Sequence, residues 1–149
     1  MDFAIEETDF ETTYKIWSEL LWPGRESKIE PLSAISDDLT IDTSIFKFKA
    51  KYLLCRYEGN IIGVLSGHPT SETSYRLRGL YVAEKFRQKG LGTQLLLKQI
   101  EYAKEINMKT VWLLGRVYRE PLYTSLGFEV VCKTEKFEFG PHYLMKKFI

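Results

Sequence analysis

Hydrophobic residues near the N-terminus recur at the three-to-four-residue spacing of a helix with one buried face. These residues are Phe10, Tyr14, Trp17 and Leu21. Thr8 and Glu11 have the spacing of a capping box, which predicts a helix that begins at Thr8 and runs to Leu21. Pro23 and Gly24 then stop it.

The pattern on either side of this helix is weaker. The apolar run at residues 3–5 predicts a short first strand. In residues 25–50, Pro31 is the sign of a second short helix, and residues 36–38 read as a loop within it.

The rest of the chain alternates between strand-like and helix-like patterns. Lys51–Tyr57, Ile61–Gly67 and Tyr75–Val82 are rich in β-formers, and Glu58-Gly59-Asn60 is a turn between the first two. A helix follows with Leu91, Leu95, Leu96, Ile100 and Ala103 on one face, and Asn107 as its stop. The remaining predicted elements are strands at 110–114, 128–132 and 143–148 and a short helix from Pro121 to Gly127. The order predicts an α+β domain over residues 1–149, with a strand–helix–strand unit at 75–114.

Composition excludes some classes of protein but does not identify a function. The 149 residues are 44% hydrophobic, enough for a sizeable core, and the net charge of +1 gives no general attraction to nucleic acid or to an anionic membrane. No signal-peptide pattern or apolar run of roughly 20 residues is present, so we expect a cytoplasmic protein. Cys55 and Cys132 have neither zinc nor disulfide spacing, and His68 and His142 are far apart, so we predict no metal site.

The sharpest motif is the glycine-rich turn at residues 87–93, between a predicted strand and a predicted helix. Unpaired amides and partial positive charge at a helix start favour a phosphate, and glycines let it approach the backbone. A Walker A loop would need Lys and then Ser or Thr after Gly92, where Thr93 and Gln94 stand. A dinucleotide fingerprint would need a glycine at Leu95. Both nucleotide motifs therefore fail.

Two segments resemble a known family. Residues 80–92 resemble motif A of the GNAT family of N-acetyltransferases, and residues 122–128, with Tyr123 and the Gly127-Phe128 pair, resemble its motif B. The two occur in the family's order and separation. The resemblance implies a mixed central sheet of about six to seven strands flanked by helices.

The resemblance also implies an acetyl-CoA site. In this family the amides of the turn hold the pyrophosphate of coenzyme A, and the pantetheine arm pairs with the preceding strand. The implied cofactor-binding residues are Leu80, Tyr81, Val82, Arg87, Gln88, Lys89, Gly90, Leu91, Gly92 and Thr93.

Two catalytic residues follow from the same resemblance. The amide of Leu80 would stabilise the thioester oxyanion, and a glycine within a strand, Gly79, is an independent sign of a bulge there. Tyr123 matches the family's usual general acid. No general base is apparent; His68 and Glu72 are weak candidates.

Acceptor binding is assigned to Trp22, Arg76, Arg78 and Arg116. Arg76 and Arg78 lie two residues apart, so we expect them to share a strand face with Leu80 and to favour an amine that also carries a carboxylate or phosphate. Residues 20–23 are similar to the N-terminal segment of aminoglycoside N-acetyltransferases, which bind polycations. Arg116 stands where many relatives have an Asn that contacts coenzyme A.

The expected activity is acetyl transfer to a primary amine of a small molecule or peptide, by direct attack in a ternary complex. A non-catalytic acyl-CoA-binding module and an aminoglycoside N-acetyltransferase stay open as alternatives, as does a homodimer. A nucleotide-binding domain is weakened by the two failed motifs.

Overall fold

The computed structural model describes residues 3–149, which form a central sheet with helices packed on it. The strands are β1 Ile5–Thr8, β2 Lys51–Tyr57, β3 Asn60–Pro69, β4 Ser74–Val82, β5 Thr110–Arg116, β6 Glu129–Thr134 and β7 His142–Phe148. The α-helices are α1 Phe10–Ile16, α2 Leu91–Glu105 and α3 Glu120–Thr124.

The seven strands lie in the order β1-β2-β3-β4-β5-β7-β6. Strands β4 and β5 pair in parallel and are joined through α2, whereas the other neighbouring pairs are antiparallel. A parallel pair needs a crossover of this kind, because its strands run in one direction. The α+β prediction with six to seven strands is confirmed.

The N-terminal cap differs from the prediction. Thr8 is the last residue of β1 and pairs with Tyr52, so its backbone belongs to the sheet. Asp9 is the N-cap instead, and its carboxylate accepts a hydrogen bond from the amide of Thr12 at 2.8 Å. Strand β1 also begins later than the predicted 3–5 segment, because its register against β2 starts with Ile5.

The first helix reaches Leu21 as predicted, but its last stretch, Trp17–Leu21, is a π-helix. After it, no helix begins at Pro31; residues 35 and 41 form an isolated bridge around a turn. A 3-10 helix occupies Thr43–Lys47, capped by the Asp42 side chain. The segment between α1 and β2 is mostly irregular. It is rich in Ser, Thr and Asp, whose side chains bind nearby backbone groups and compete with regular helix formation.

Helix α2 packs on the sheet through the face that the sequence predicted, with Leu91, Leu95, Leu96, Ile100 and Ala103 all buried. Gln99 lies on the same buried face. Its amide nitrogen donates to the carbonyl of Leu65 at 3.3 Å, and its amide oxygen accepts from the Tyr75 hydroxyl at 2.7 Å. These bonds satisfy the polar group and tie the helix to β3 and β4.

The sheet separates two apolar clusters. The larger one surrounds α2 and includes Leu80 and Val82 of β4. The smaller one surrounds Trp17 and is contacted by Tyr81. Because Leu80 packs on the α2 side, the prediction that it shares a face with Arg76 and Arg78 is wrong.

A change of register explains this difference. Ser66 pairs with Arg78 and Val64 pairs with Tyr81, so Leu65 of β3 stands opposite two residues of β4. The extra residue is a β-bulge, and it reverses which side chains of β4 face α2.

His68 of β3 pairs in register with Arg76 of β4, and its side chain tests how tightly this face of the sheet is packed. It is fully buried, and its ring Nδ1 lies 2.9 Å from the carbonyl of Pro69. Burial, followed by the charges of Arg76 and Arg78, lowers its pKa from 6.5 to about 3.

The unfolded protein therefore binds a proton at His68 between pH 6.5 and about 3, whereas the folded protein does not. We expect the free energy of unfolding to fall as the pH is lowered through this range. Urea denaturation at several pH values should show a weaker loss for His68→Gln than for the wild type. Parallel pH dependences for the two proteins would contradict the assignment.

Candidate active site

Strands β4 and β5 separate partway along their length. Their parallel pairing runs from Ser74 and Thr110 to Leu77 and Leu113. Beyond that point, among the residues described, β4 continues to Val82 and β5 to Arg116 without pairing to each other. The separation opens a wedge in the middle of the sheet, with unpaired strand edges on either side.

The bulge in β4 lies where the wedge opens. Gly79 has φ of 75°, and its carbonyl accepts a hydrogen bond from the Trp17 indole Nε1 at 2.8 Å. A side chain at Gly79 would collide with the same indole ring. Both the backbone angle and the close contact therefore require glycine.

The glycine-rich turn connects the end of β4 to α2. Gln88 and Gly90 have positive φ, of 61° and 88°, and Gly90 is the N-cap of α2. Arg87 donates from Nε to the carbonyl of Val82 at 2.9 Å, which fixes the turn to the strand. Residues 87–90 are exposed, so the amides at the start of this helix are accessible to an anion.

At the other end of the wedge lies a cavity of about 300 Å³. Two catalytic and four acceptor-binding residues predicted from the sequence line it, namely Leu80, Tyr123, Trp22, Arg76, Arg78 and Arg116. The other predicted cofactor-binding residues lie outside the cavity, along the end of β4 and the start of α2. The structure thus divides the predicted site residues into a turn and a cavity, with Leu80 between them.

Tyr123 is held in this cavity by α3. Pro121 occupies the first turn of that helix, as predicted, and Tyr123 is 6% exposed. Its ring lies edge-to-face against Phe128, with centroids 6.4 Å apart, and a Cβ at Gly115 of β5 would approach it to 2.6 Å. Burial raises the pKa of Tyr123 to about 12, so the phenol is protonated at neutral pH.

Comparison with known families decides the classification. The model of the acetyltransferase (GNAT) family matches residues 14–128, more than half of the chain. The chain belongs to the GNAT acetyltransferase family.

Solved structures share this GNAT fold at low sequence identity. An aminoglycoside 6'-N-acetyltransferase complexed with coenzyme A has a TM-score of 0.71 at 15% identity, with 97% of this chain and 96% of that chain covered. A GNAT acetyltransferase of Staphylococcus aureus Mu50 has a TM-score of 0.69 at 17% identity, with 99% of each chain covered. One from Elizabethkingia anophelis with acetyl-CoA bound has a TM-score of 0.64 at 19% identity, covering 99% and 98%. No curated protein sequence matches significantly.

The arginines of the GNAT cavity differ in their contacts. Arg78 donates from Nη1 to the carbonyl of Glu30 at 2.8 Å and lies over the ring of Trp17 at 4.9 Å. Arg116 donates from Nη2 to the carbonyl of Leu21 at 3.0 Å. Both side chains therefore bind the backbone of the segment that follows α1, and they help to hold that segment over the sheet.

Arg76 has no such bond. Its guanidinium is stacked on Trp112, 5.0 Å from the ring centroid, and its Nε and Nη1 are enclosed without a hydrogen-bond partner among residues 3–149. Burial, followed by the charges of Arg78 and Arg25, lowers its pKa to about 9. Arg76 is therefore still cationic at neutral pH.

Sequence reasoning missed the part of the cavity wall that comes from loops. Glu138, in the loop between β6 and β7, accepts hydrogen bonds from the amides of Glu26 and Ser27 at 2.8 and 3.0 Å. These bonds join the β6–β7 loop to the segment that follows α1 at the cavity wall. His142 was considered only as a metal ligand, but it pairs in register with Arg116 and lines the cavity. No periodic or motif signal marks either residue.

Within residues 3–149, no group of three or more His, Cys, Asp or Glu side chains is placed to hold a metal ion. None of the helices in the same range is long and apolar enough to span a membrane.

Replacement of Gly79 tests the bulge. Gly79→Ala places a side chain at positive φ, which costs about 1–2 kcal/mol, and drives it into the Trp17 ring. Gly59→Ala is the matched control, because Gly59 has φ of 81° and open space around it. We expect Gly79→Ala to lower the free energy of unfolding more than the control does, as measured by urea denaturation. Equal losses would mean that the indole does not constrain the bulge.

Proposed function

We propose that the protein is an acetyl-CoA-dependent N-acetyltransferase that acts on a primary amine of a small molecule or peptide. The observation that carries the proposal is the wedge between β4 and β5, with an anion-accessible turn at one end and the Tyr123 cavity at the other. Membership of the GNAT family supports the same activity. Two of the structures described above were solved with coenzyme A and with acetyl-CoA bound, which supports the choice of donor.

The residues present fit acetyl-CoA. The amides of residues 87–93, of which residues 87–90 are exposed, would bind the pyrophosphate, with Arg87 and Lys89 adding positive charge. A Cβ at Gly92 would lie 3.7 Å from the side chains of Leu80 and Val82, so the turn packs directly on the end of β4. The pantetheine arm would then lie along the unpaired edge of β4, in the way that an added strand does.

Acetyl-CoA supplies a thioester, whose carbonyl carbon is attacked by the amine while the carbon–sulfur bond breaks. The bulge interrupts the ladder at Gly79 and Leu80, which would free the Leu80 amide to donate to the carbonyl oxygen as negative charge develops on it. Tyr123 would give its proton to the departing thiolate. The amine nitrogen loses its own proton to water in this scheme.

Direct attack in a ternary complex suits this arrangement. Cys55 is buried in the α2-side core and Cys132 is exposed on β6, so neither thiol lines the cavity. Glu138 is the one carboxylate among the described residues that line it, and Ser27 and Glu26 already occupy its oxygens. The basic wall also disfavours an aminoglycoside, because like charges repel across a desolvated site.

The turn is tested with Gly90→Ala. The added methyl group would stand at the helix start, at positive φ, where the pyrophosphate is proposed to bind. We expect the dissociation constant for coenzyme A to rise by at least about tenfold, which corresponds to ~1.4 kcal/mol. Isothermal titration calorimetry measures it, with Gly59→Ala as the control for backbone strain. Unchanged affinity in a folded Gly90→Ala protein would refute the proposed turn.

Tyr123 is tested by Tyr123→Phe, which removes the proton donor but keeps the ring. We expect turnover to fall by roughly 10²–10⁴-fold while coenzyme A affinity is retained. The exposed Tyr57 of β2 provides the control, because Tyr57→Phe removes a hydroxyl outside the cavity.

Thiol release should be followed in single turnover, so that product release does not hide the chemical step. A chemical rate in Tyr123→Phe equal to that of the wild type would remove Tyr123 from the mechanism. A protein that binds acetyl-CoA but acetylates none of a broad amine panel would instead be a non-catalytic acyl-CoA-binding module.

A further inference from the structure

Unpaired hydrogen-bond donors and acceptors are concentrated at one place in this fold. Of the four enclosed side-chain atoms without a partner in residues 3–149, three belong to residues that line the cavity. They are Nε and Nη1 of Arg76 and Nδ1 of His142. Arg76 belongs to β4 and His142 to β7, on opposite sides of β5, so the two residues reach the cavity from different strands.

A purely structural role does not account for Arg76. A buried cation is strongly unfavourable unless a counter-charge and hydrogen bonds compensate for the loss of water. Among the residues described, no carboxylate lies within ion-pair distance of Arg76, and the charges that act on it most, from Arg78 and Arg25, are positive. The face of Trp112 offsets only part of this cost.

The two neighbouring arginines of the cavity, by contrast, have hydrogen-bond partners. Arg78 and Arg116 each donate to a backbone carbonyl. Glu138 also lines the cavity, but its carboxylate lies beyond ion-pair distance of Arg76 and binds the amides of Glu26 and Ser27 instead. Among the described residues, Arg76 is thus left at the cavity wall without a counter-ion and with two unpartnered donors.

We propose that Arg76 binds the carboxylate of the acceptor, so that the acceptor is an amino acid or a similarly small amine bearing a carboxylate. This inference rests on the proposed acetyltransferase function. The two unpartnered donors of this one guanidinium, Nε and Nη1, match the two oxygens of a carboxylate. The cavity of about 300 Å³ lies at the small end of ligand sites, which span about 300–1,000 Å³.

The test compares amines with and without the anionic group. Each common amino acid is assayed against its own carboxamide, with acetyl-CoA saturating and thiol release as the readout. Phosphoethanolamine and kanamycin represent a phosphate-bearing amine and a polycation. In the wild type, the best amino acid should exceed its carboxamide in kcat/KM by more than tenfold.

Three variants identify the residue responsible. Arg76→Gln removes the charge, and Arg76→Lys keeps a charge with a different set of donors. Arg56→Gln is the control, because Arg56 is half exposed on β2, paired with Glu6 and outside the cavity. Arg76→Gln should raise KM for the amino acid by more than tenfold, leave KM for the carboxamide unchanged and retain coenzyme A affinity. Arg76→Lys should give an intermediate KM, and Arg56→Gln should match the wild type.

Failure of the inference can be separated from failure of the proposed function. Equal use of an amino acid and its carboxamide, or a preference that survives in Arg76→Gln, would overturn the inference and leave the acetyltransferase intact. Preference for phosphoethanolamine or kanamycin would overturn it as well.

Binding gives a readout that needs no turnover. Calorimetry on the coenzyme A complex should detect an N-acetylated amino acid but not its carboxamide. Such binding, without acetylation of any amine, would support the carboxylate site and refute the proposed catalytic activity. Equal affinity for the two probes would refute the site.

Discussion

The hydrogen bond from the Trp17 indole to the carbonyl of Gly79 fixes the N-terminal helical segment to the β4 strand. It joins the N-terminal helical segment to the bulge of β4 at 2.8 Å. The bulge sends Leu80 and Val82 to the α2 side and leaves Arg76 and Arg78 on the other. Without the bulge, the end of β4 would present the opposite side chains to the helix, and the glycine-rich turn would no longer pack on them.

The separation of β4 from β5 begins next to the bulge in the same strand. The crossover through α2 makes the two strands parallel neighbours, and their pairing ends at Leu77 and Leu113. Gln99 supports this region from the helix by binding the carbonyl of Leu65, the residue opposite the bulge. Helix, bulge and wedge are therefore packed as one unit, so the turn and the cavity keep a fixed relation to each other.

Sequence patterns predicted the parts of this unit that depend on local periodicity. The buried face of α2 follows from its apolar spacing, and Gly79 marked the bulge. The consequence of the bulge was missed, because strict alternation was continued from Arg78 to Leu80. The first cap was also misplaced, from Asp9 to Thr8, because the pairing of Thr8 with Tyr52 is a long-range contact that no local pattern reports. The different surroundings of Arg76 and Arg78 likewise depend on the carbonyl of Glu30, which reaches the sheet from an irregular loop.

The burial of Arg76 has a consequence for the empty protein. A cation held on an indole face without a counter-ion lowers the stability of the unliganded fold, since a well-packed apolar side chain of similar size would carry no such penalty. Selection for stability alone would remove it. In the proposed acceptor site, that part of the folding free energy is given up so that the carboxylate-binding cation is already in place.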